Sequence, residues 1–341
     1  MKIGEVYFIR ERDRIDGGSS SYVKIGIVQD VARDSQQRVR DHQTGNPRNL
    51  ELHHVTQTPG PYRVERFLHQ KFGPNRVRSE WFRLSETELD AAVQTAEQMA
   101  KESFVYIPIL EAAEELKSVI STREKIPPTD ETDRWIKILS VAKVAVKLCD
   151  DMSDAYNRVV SELSPDDRAQ AEFEELVITE HVPVPKFDQE GFAGKYPGLL
   201  EQYTVTSSAV SGPFRPTYLD VDLAEADREL VDFCSDFQKA CETVRRNELN
   251  FGELFDQFQV LERFRGSYSW DADVADANLR VICGSSAGIE GQATWNRTAK
   301  ERSAVDFERL ESEHREKFNE FVTVDVQSRL KTRRRARNQA H

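Results

Sequence analysis

At 341 residues, with 38% hydrophobic and 31% charged side chains, the chain can bury more than one core, and no apolar run approaches the roughly 20 residues of a membrane-spanning helix. Four scattered cysteines, Cys149, Cys234, Cys241 and Cys283, exclude a disulfide framework or a CxxC zinc site. The net charge of −12 hides an imbalance, because residues 1–83 hold 15 basic against 10 acidic side chains and the rest 32 against 49.

A basic module on an acidic body is the pattern of a chain that meets a polyanion with one of its parts. The opening MKIGEVYFIRERD lacks the apolar segment of a signal peptide, so a cytoplasmic location is expected. EVYFIRERD reads as a strand, DGGSSS as a loop, and SYVKIGIV as a second strand, which together make an antiparallel hairpin. Residues 30–47 read as a helix stopped by Gly45, Asn46 and Pro47, and 50–57 as a third strand. Pro59 and Pro61 precede a helix over 62–72, ended by Gly73 and Pro74. After the short aromatic run SEWFRL, Ser85 and Glu88 have capping-box spacing and open a helix to about 102. The fold class expected is an α/β N-terminal module, a small three-stranded antiparallel sheet with helices, followed by a mostly α-helical region.

Apolar spacing predicts helices at 109–122, 133–162, 224–245, 251–265 and 306–322, with a linker at 126–132 and two short strands around a glycine-rich turn within 281–295. The expected divisions are 1–103, 104–215, 216–330 and a basic tail at 331–341 that holds Lys331, Arg333, Arg334, Arg335 and Arg337. Residues 187–205 can be laid over 305–323, with Asp188 on Asp306 and Tyr203 on Phe321. That echo reads either as two copies of one unit or as the ease with which amphipathic helices match.

Lys24 stands two residues before Gly26 in the second strand, where alternation alone makes it an ordinary wet-face lysine. Its company is more specific. In order come VYFI (6–9), KIG (24–26), RVRDHQTGNP (38–47), ERFLHQKF (65–72) and EWF (80–82). This series resembles the GIY-YIG nuclease superfamily, with Glu5-Val6-Tyr7 and Lys24-Ile25-Gly26 as diverged forms of its two name-giving motifs. It resembles most closely the branch named after an open reading frame of phage T-five. The resemblance covers about the first 100 residues and is silent on the rest.

It implies a metal-dependent DNA endonuclease or nickase, with a phage or mobile-element background. Glu65 would bind one Mg2+ or Mn2+, and Tyr7 would serve the attacking water as base or relay. Tyrosine ionises near about 10 and needs a cation to become a useful base. Lys24, where many relatives have a second tyrosine, would supply that cation or grip the phosphate. Arg38 would clamp phosphate with its planar fork. His69, four residues from Glu65, shares its helix face and is a candidate outer partner or proton shuttle; His42 stands likewise to Arg38.

Arg40, His42, Arg48, Arg63, Arg66, Lys71, Arg76 and Arg78 form the expected nucleic-acid set. Each singly is ordinary surface charge, and Trp81 and Phe82 singly are ordinary core. Two rivals stand beside the nuclease: a catalytically silent DNA-binding module, and an acidic scaffold for a protein partner or self-association that the basic module tethers to DNA. RNA is not excluded, because phosphate contacts do not distinguish it.

Overall fold

The two apolar runs VYFI and VKIGIV are buried on both faces, which happens only to central strands covered by helices on each side. The computed structural model describes residues 3–13, 17–29, 34–43, 46, 48–173, 177–245 and 251–332. The expected helix start at 30–33, Gly45 and Pro47 of its stop, and Arg333, Arg334, Arg335 and Arg337 lie outside those residues, as does the side chain of Lys331. The N-terminal module runs β1 (Gly4–Arg12), β2 (Ser19–Val28), α1 (Ser35–Gln43), β3 (Asn49–Thr58), α2 (Pro61–Lys71), β4 (Arg76–Arg78), β5 (Trp81–Arg83) and α3 (Glu86–Phe104). Its sheet is antiparallel with order β3-β1-β2-β5-β4. Five strands replace the expected three, because RVR and WFR are too short for alternation to reveal.

Val6, Phe8, Val23 and Ile25 point to α2 and α3, meeting Val64, Leu68 and Leu89. Tyr7 and Ile9 point the other way, into a cluster with Val39 of α1, Leu50 and Trp81. At the start of α1, the Glu5 carboxylate accepts from Ser35 N at 3.0 Å and Asp34 from Gln37 N at 2.7 Å. The capping box of α3 forms as its spacing predicts, Glu88 N donating to Ser85 Oγ and Ser85 N to the Glu88 carboxylate.

The remainder continues α4 (Ile107–Glu115), α5 (Asp130–Ser161), α6 (Pro165–Phe173), β6 (Val177–Phe187), α7 (Gln189–Lys195), α8 (Leu199–Gln202), β7 (Thr204–Ser211), β8 (Arg215–Pro216), α9 (Leu223–Ala226), α10 (Arg228–Arg245), α11 (Phe251–Cys283), β9 (Gly288–Ile289), β10 (Ala293–Thr294), β11 (Thr298–Val305), α12 (Phe307–Asn319) and β12 (Val322–Thr332). Helices α5, α10 and α11 share one core, including Leu139, Tyr156, Phe237, Leu254 and Leu279. All four cysteines are buried and outside any disulfide. Among the described residues no helix is long and apolar enough to cross a membrane.

Helix α11 runs to Cys283, well past the expected end at 265. Gly266, inside this helix, is a packing device: a Cβ there would lie 2.4 Å from the Tyr62 ring of α2. The expected linker is likewise tied down, with Ile126 N donating to Gly288 O at 3.1 Å and Glu290 N to Ile126 O at 2.9 Å.

The internal echo is real in three dimensions. Strand β6 pairs with β12 and β7 with β11, and a shift of 118 residues turns the register pair Phe187–Val322 into Val305–Thr204. Asp188 N donates to Phe321 O at 2.8 Å, and Asp306 N donates to Tyr203 O at 2.8 Å. Both aspartates cap the helices that follow them, and Phe192 and Leu310 fill equivalent places in a small separate core. Two strand–helix–strand units are therefore related by a pseudo-two-fold axis, on the alignment read from sequence.

Candidate functional site

Tyr7 on β1 stands opposite Gly26 on β2. A side chain at 26 would collide with the ring, since a Cβ there would lie 2.5 Å from the Tyr7 hydroxyl oxygen. The glycine of KIG is thus required by close approach of a side chain, and the tyrosine lies across its neighbour strand, 3% exposed. Replacing Gly26 by alanine is expected to cost about 1–3 kcal/mol through displacement of this ring. Urea unfolding measures the cost; an unchanged midpoint would mean that Tyr7 does not lie against the strand.

Lys24 does not sit on a wet face. It is 2% exposed and its ammonium pairs with the carboxylate of Glu80 from the EWF motif. The main chain locks the same place, because Ile25 N donates to Glu80 O at 3.0 Å. The other carboxylate oxygen of Glu80 accepts from Arg263 Nη1 at 3.3 Å. Burial pushes the Glu80 carboxyl up, but Lys24 and then Arg263 outweigh it and hold the group well below the usual carboxylate range.

Glu65 and His69 on α2 share one face, 2% and 4% exposed. His69 Nε2 donates to Ile25 O at 3.0 Å, which leaves Nδ1 as an acceptor without a hydrogen-bond partner among the described residues. Burial, reinforced by the Arg263 charge, pushes the imidazole well below its ordinary value, so the ring is neutral near pH 7. The unfolded chain takes up this proton at about 6.5, so stability present above that pH is expected to fall as pH drops below it. His69→Gln should flatten that loss in denaturant titrations between pH 7 and 5; an unaltered slope would assign the loss to other groups.

Burial and then Glu80 push the Tyr7 phenol well above its ordinary value; Arg38 opposes this, while Glu65 and Asp41 add to it. Lys24 pairs with Glu80, and Arg38 is the cation that opposes the raised phenol. Arg38, half-buried on α1, keeps a buried Nε without a hydrogen-bond partner among the described residues. Tyr7 and His69 thus meet the same stretch of β2 that carries Lys24, at Gly26 and at Ile25 O.

Several residues of the expected nucleic-acid set have partners within the chain. Arg66 pairs with Asp227 and lies between the rings of Phe264 and Tyr268, 4.6 and 4.8 Å from their centroids. Arg63 Nε lies 3.7 Å from Asp271, and Lys71 donates to Thr95 Oγ1 at 2.8 Å. Much of the basic charge on α2 is thus matched by the acidic body within the same chain. Arg76 donates to His69 O at 3.1 Å and covers Phe82. Arg40, Arg48, Arg76 and Arg78 are exposed, and His42 is half-buried on α1. Phe82 is fully buried and Trp81 packs beside Tyr7, so both aromatics serve the core.

Sequence reasoning missed Arg263, which reaches the site from α11 and carries no local signal in ERFRGSY. Among the described residues no three His, Cys, Asp or Glu side chains gather as a metal-ligand set. A single buried carboxylate is nonetheless the donor set of a hydrated Mg2+ that takes its other ligands from water and a substrate phosphate, and Glu65 fits that use.

Residues 4–97 match the model of the T5orf172 domain, a nuclease-associated type of domain. No curated protein and no solved structure matches the chain.

Proposed function

We propose that the N-terminal module is a metal-dependent endonuclease or nickase acting on DNA. What supports this reading is that Tyr7 lies against Gly26 while His69, on the helix face of Glu65, donates to the neighbouring Ile25 O at 3.0 Å. Glu65 would hold Mg2+ or Mn2+, which when bound supplies positive charge to the scissile phosphate and acidifies water. Arg38 has a buried Nε with no hydrogen-bond partner among the described residues and suits a non-bridging phosphate oxygen. His69 Nδ1 is an open acceptor for a proton from water. Tyr7, a neutral phenol, orients the attacking water and passes its proton on, since its environment disfavours the phenolate.

A second reading, DNA binding without turnover, is favoured by the burial of Tyr7, Lys24, Glu65 and His69 and by the raised phenol. Nicking of supercoiled plasmid in Mg2+ or Mn2+, with a gel shift in EDTA beside it, separates the two. Metal-dependent nicking that Arg38→Ala reduces supports the nuclease; a shift without nicking in either metal supports the binding module. The same assay on single-stranded RNA tests the polymer.

A further inference from the structure

We infer that Arg263, carried by α11 of the helical region, is a phosphate-binding residue of the same centre, so that the site is completed by a part of the chain outside residues 4–97. This rests on the reading of that centre as one that receives a nucleic-acid phosphate.

Arg263 is 7% exposed, and among the described residues Glu80 is the one side chain it hydrogen-bonds. Glu80 already pairs with Lys24. One carboxylate thus serves two buried cations, and neither has it to itself. A buried cation that shares its carboxylate gains from a further anion. The field of Arg263 also reaches His69 and Arg76. Of its five donors, a guanidinium with one carboxylate contact keeps several for a phosphodiester, and its planar fork suits the two non-bridging oxygens.

The docking that brings Arg263 in is specific. Asp227 accepts from both Arg66 and the Tyr268 hydroxyl, Trp270 packs over Gly60, and Gly266 receives the Tyr62 ring. Helix α11 is thereby seated on α2 one turn from Glu65 and His69.

The test uses the full chain and a duplex oligonucleotide in EDTA, with affinity measured across a salt series. Arg265→Ala is the control: it removes the same charge from the same helix at an exposed position paired with Asp150. Arg263→Ala is expected to weaken binding about tenfold or more, the size of one charge-assisted contact. It should also reduce the slope of log affinity against log salt by about one phosphate's worth, while Arg265→Ala leaves the slope unchanged. Arg263→Lys should keep the slope and lose only several-fold in affinity, and it stands in for the alanine variant should that fail to fold. Equal behaviour of the variants at 263 and 265 overturns the inference, because a purely structural arginine would not alter the salt slope selectively. Wild-type binding without metal-dependent nicking overturns the nuclease reading and leaves the Arg263 comparison intact. No binding of DNA or RNA by the wild type overturns both.

Discussion

Glu65→Gln is expected to abolish metal-dependent nicking, by at least about 10²-fold, the scale on which loss of one transition-state-stabilising group is felt. The substitution keeps volume and hydrogen-bonding shape while removing the charge that would bind the cation. Because Glu65 is almost fully buried, the melting temperature needs to be compared alongside the rate. The nuclease reading expects a folded protein with DNA affinity in EDTA equal to or above that of the wild type, since a carboxylate repels phosphate when no cation intervenes. Nicking that survives the substitution would remove Glu65 from the metal and force a different ligand on the scheme.

The second large effect is on stability. Glu80→Ala is expected to cost about 3–5 kcal/mol, because it leaves Lys24 and Arg263 buried with no carboxylate between them. Combining Glu80→Leu with Lys24→Met should recover part of that loss, since an apolar replacement removes one of the stranded charges with its partner. The pH dependence has a definite sign. The cations hold the folded carboxyl below the unfolded value of about 4.3, so the stability it contributes is present above that pH and lost as pH falls further. Urea unfolding at pH 7 and at pH 4 should therefore show a smaller difference for Glu80→Ala than for the wild type. A variant as stable as the wild type at pH 7 would mean that the triad is not dry.

The charge imbalance shows how a sound sequence inference can miss contacts made inside the chain. A basic module and an acidic body do attract, but part of that attraction is spent inside the chain, at Arg66 with Asp227 and at Arg63 beside Asp271. Composition records how many charges each segment holds and is blind to which face bears them. Arg40, Arg48, Arg76 and Arg78 remain exposed.

What the sequence determined by itself is whatever depends on near neighbours and on ordered motifs. The β1–β2 hairpin, the α2 face shared by Glu65 and His69, and the capping box at Ser85 follow from spacings of two, four and three residues. The series VYFI, KIG, ERFLHQKF and EWF pointed to one domain, and the alignment of Asp188 on Asp306, legible only as an echo between helical segments, returns in the strand registers as two paired strand–helix–strand units. Tertiary structure alone decided the role of Lys24. Its partner Glu80 is 56 residues away, and the arginine that shares this carboxylate lies another 183 beyond. The same holds for Gly266, whose missing side chain makes room for Tyr62. Periodicity reports which face a residue takes on its own element. Which charge or ring meets that face is set when elements pack, where burial makes an unpaired ion too costly to leave alone.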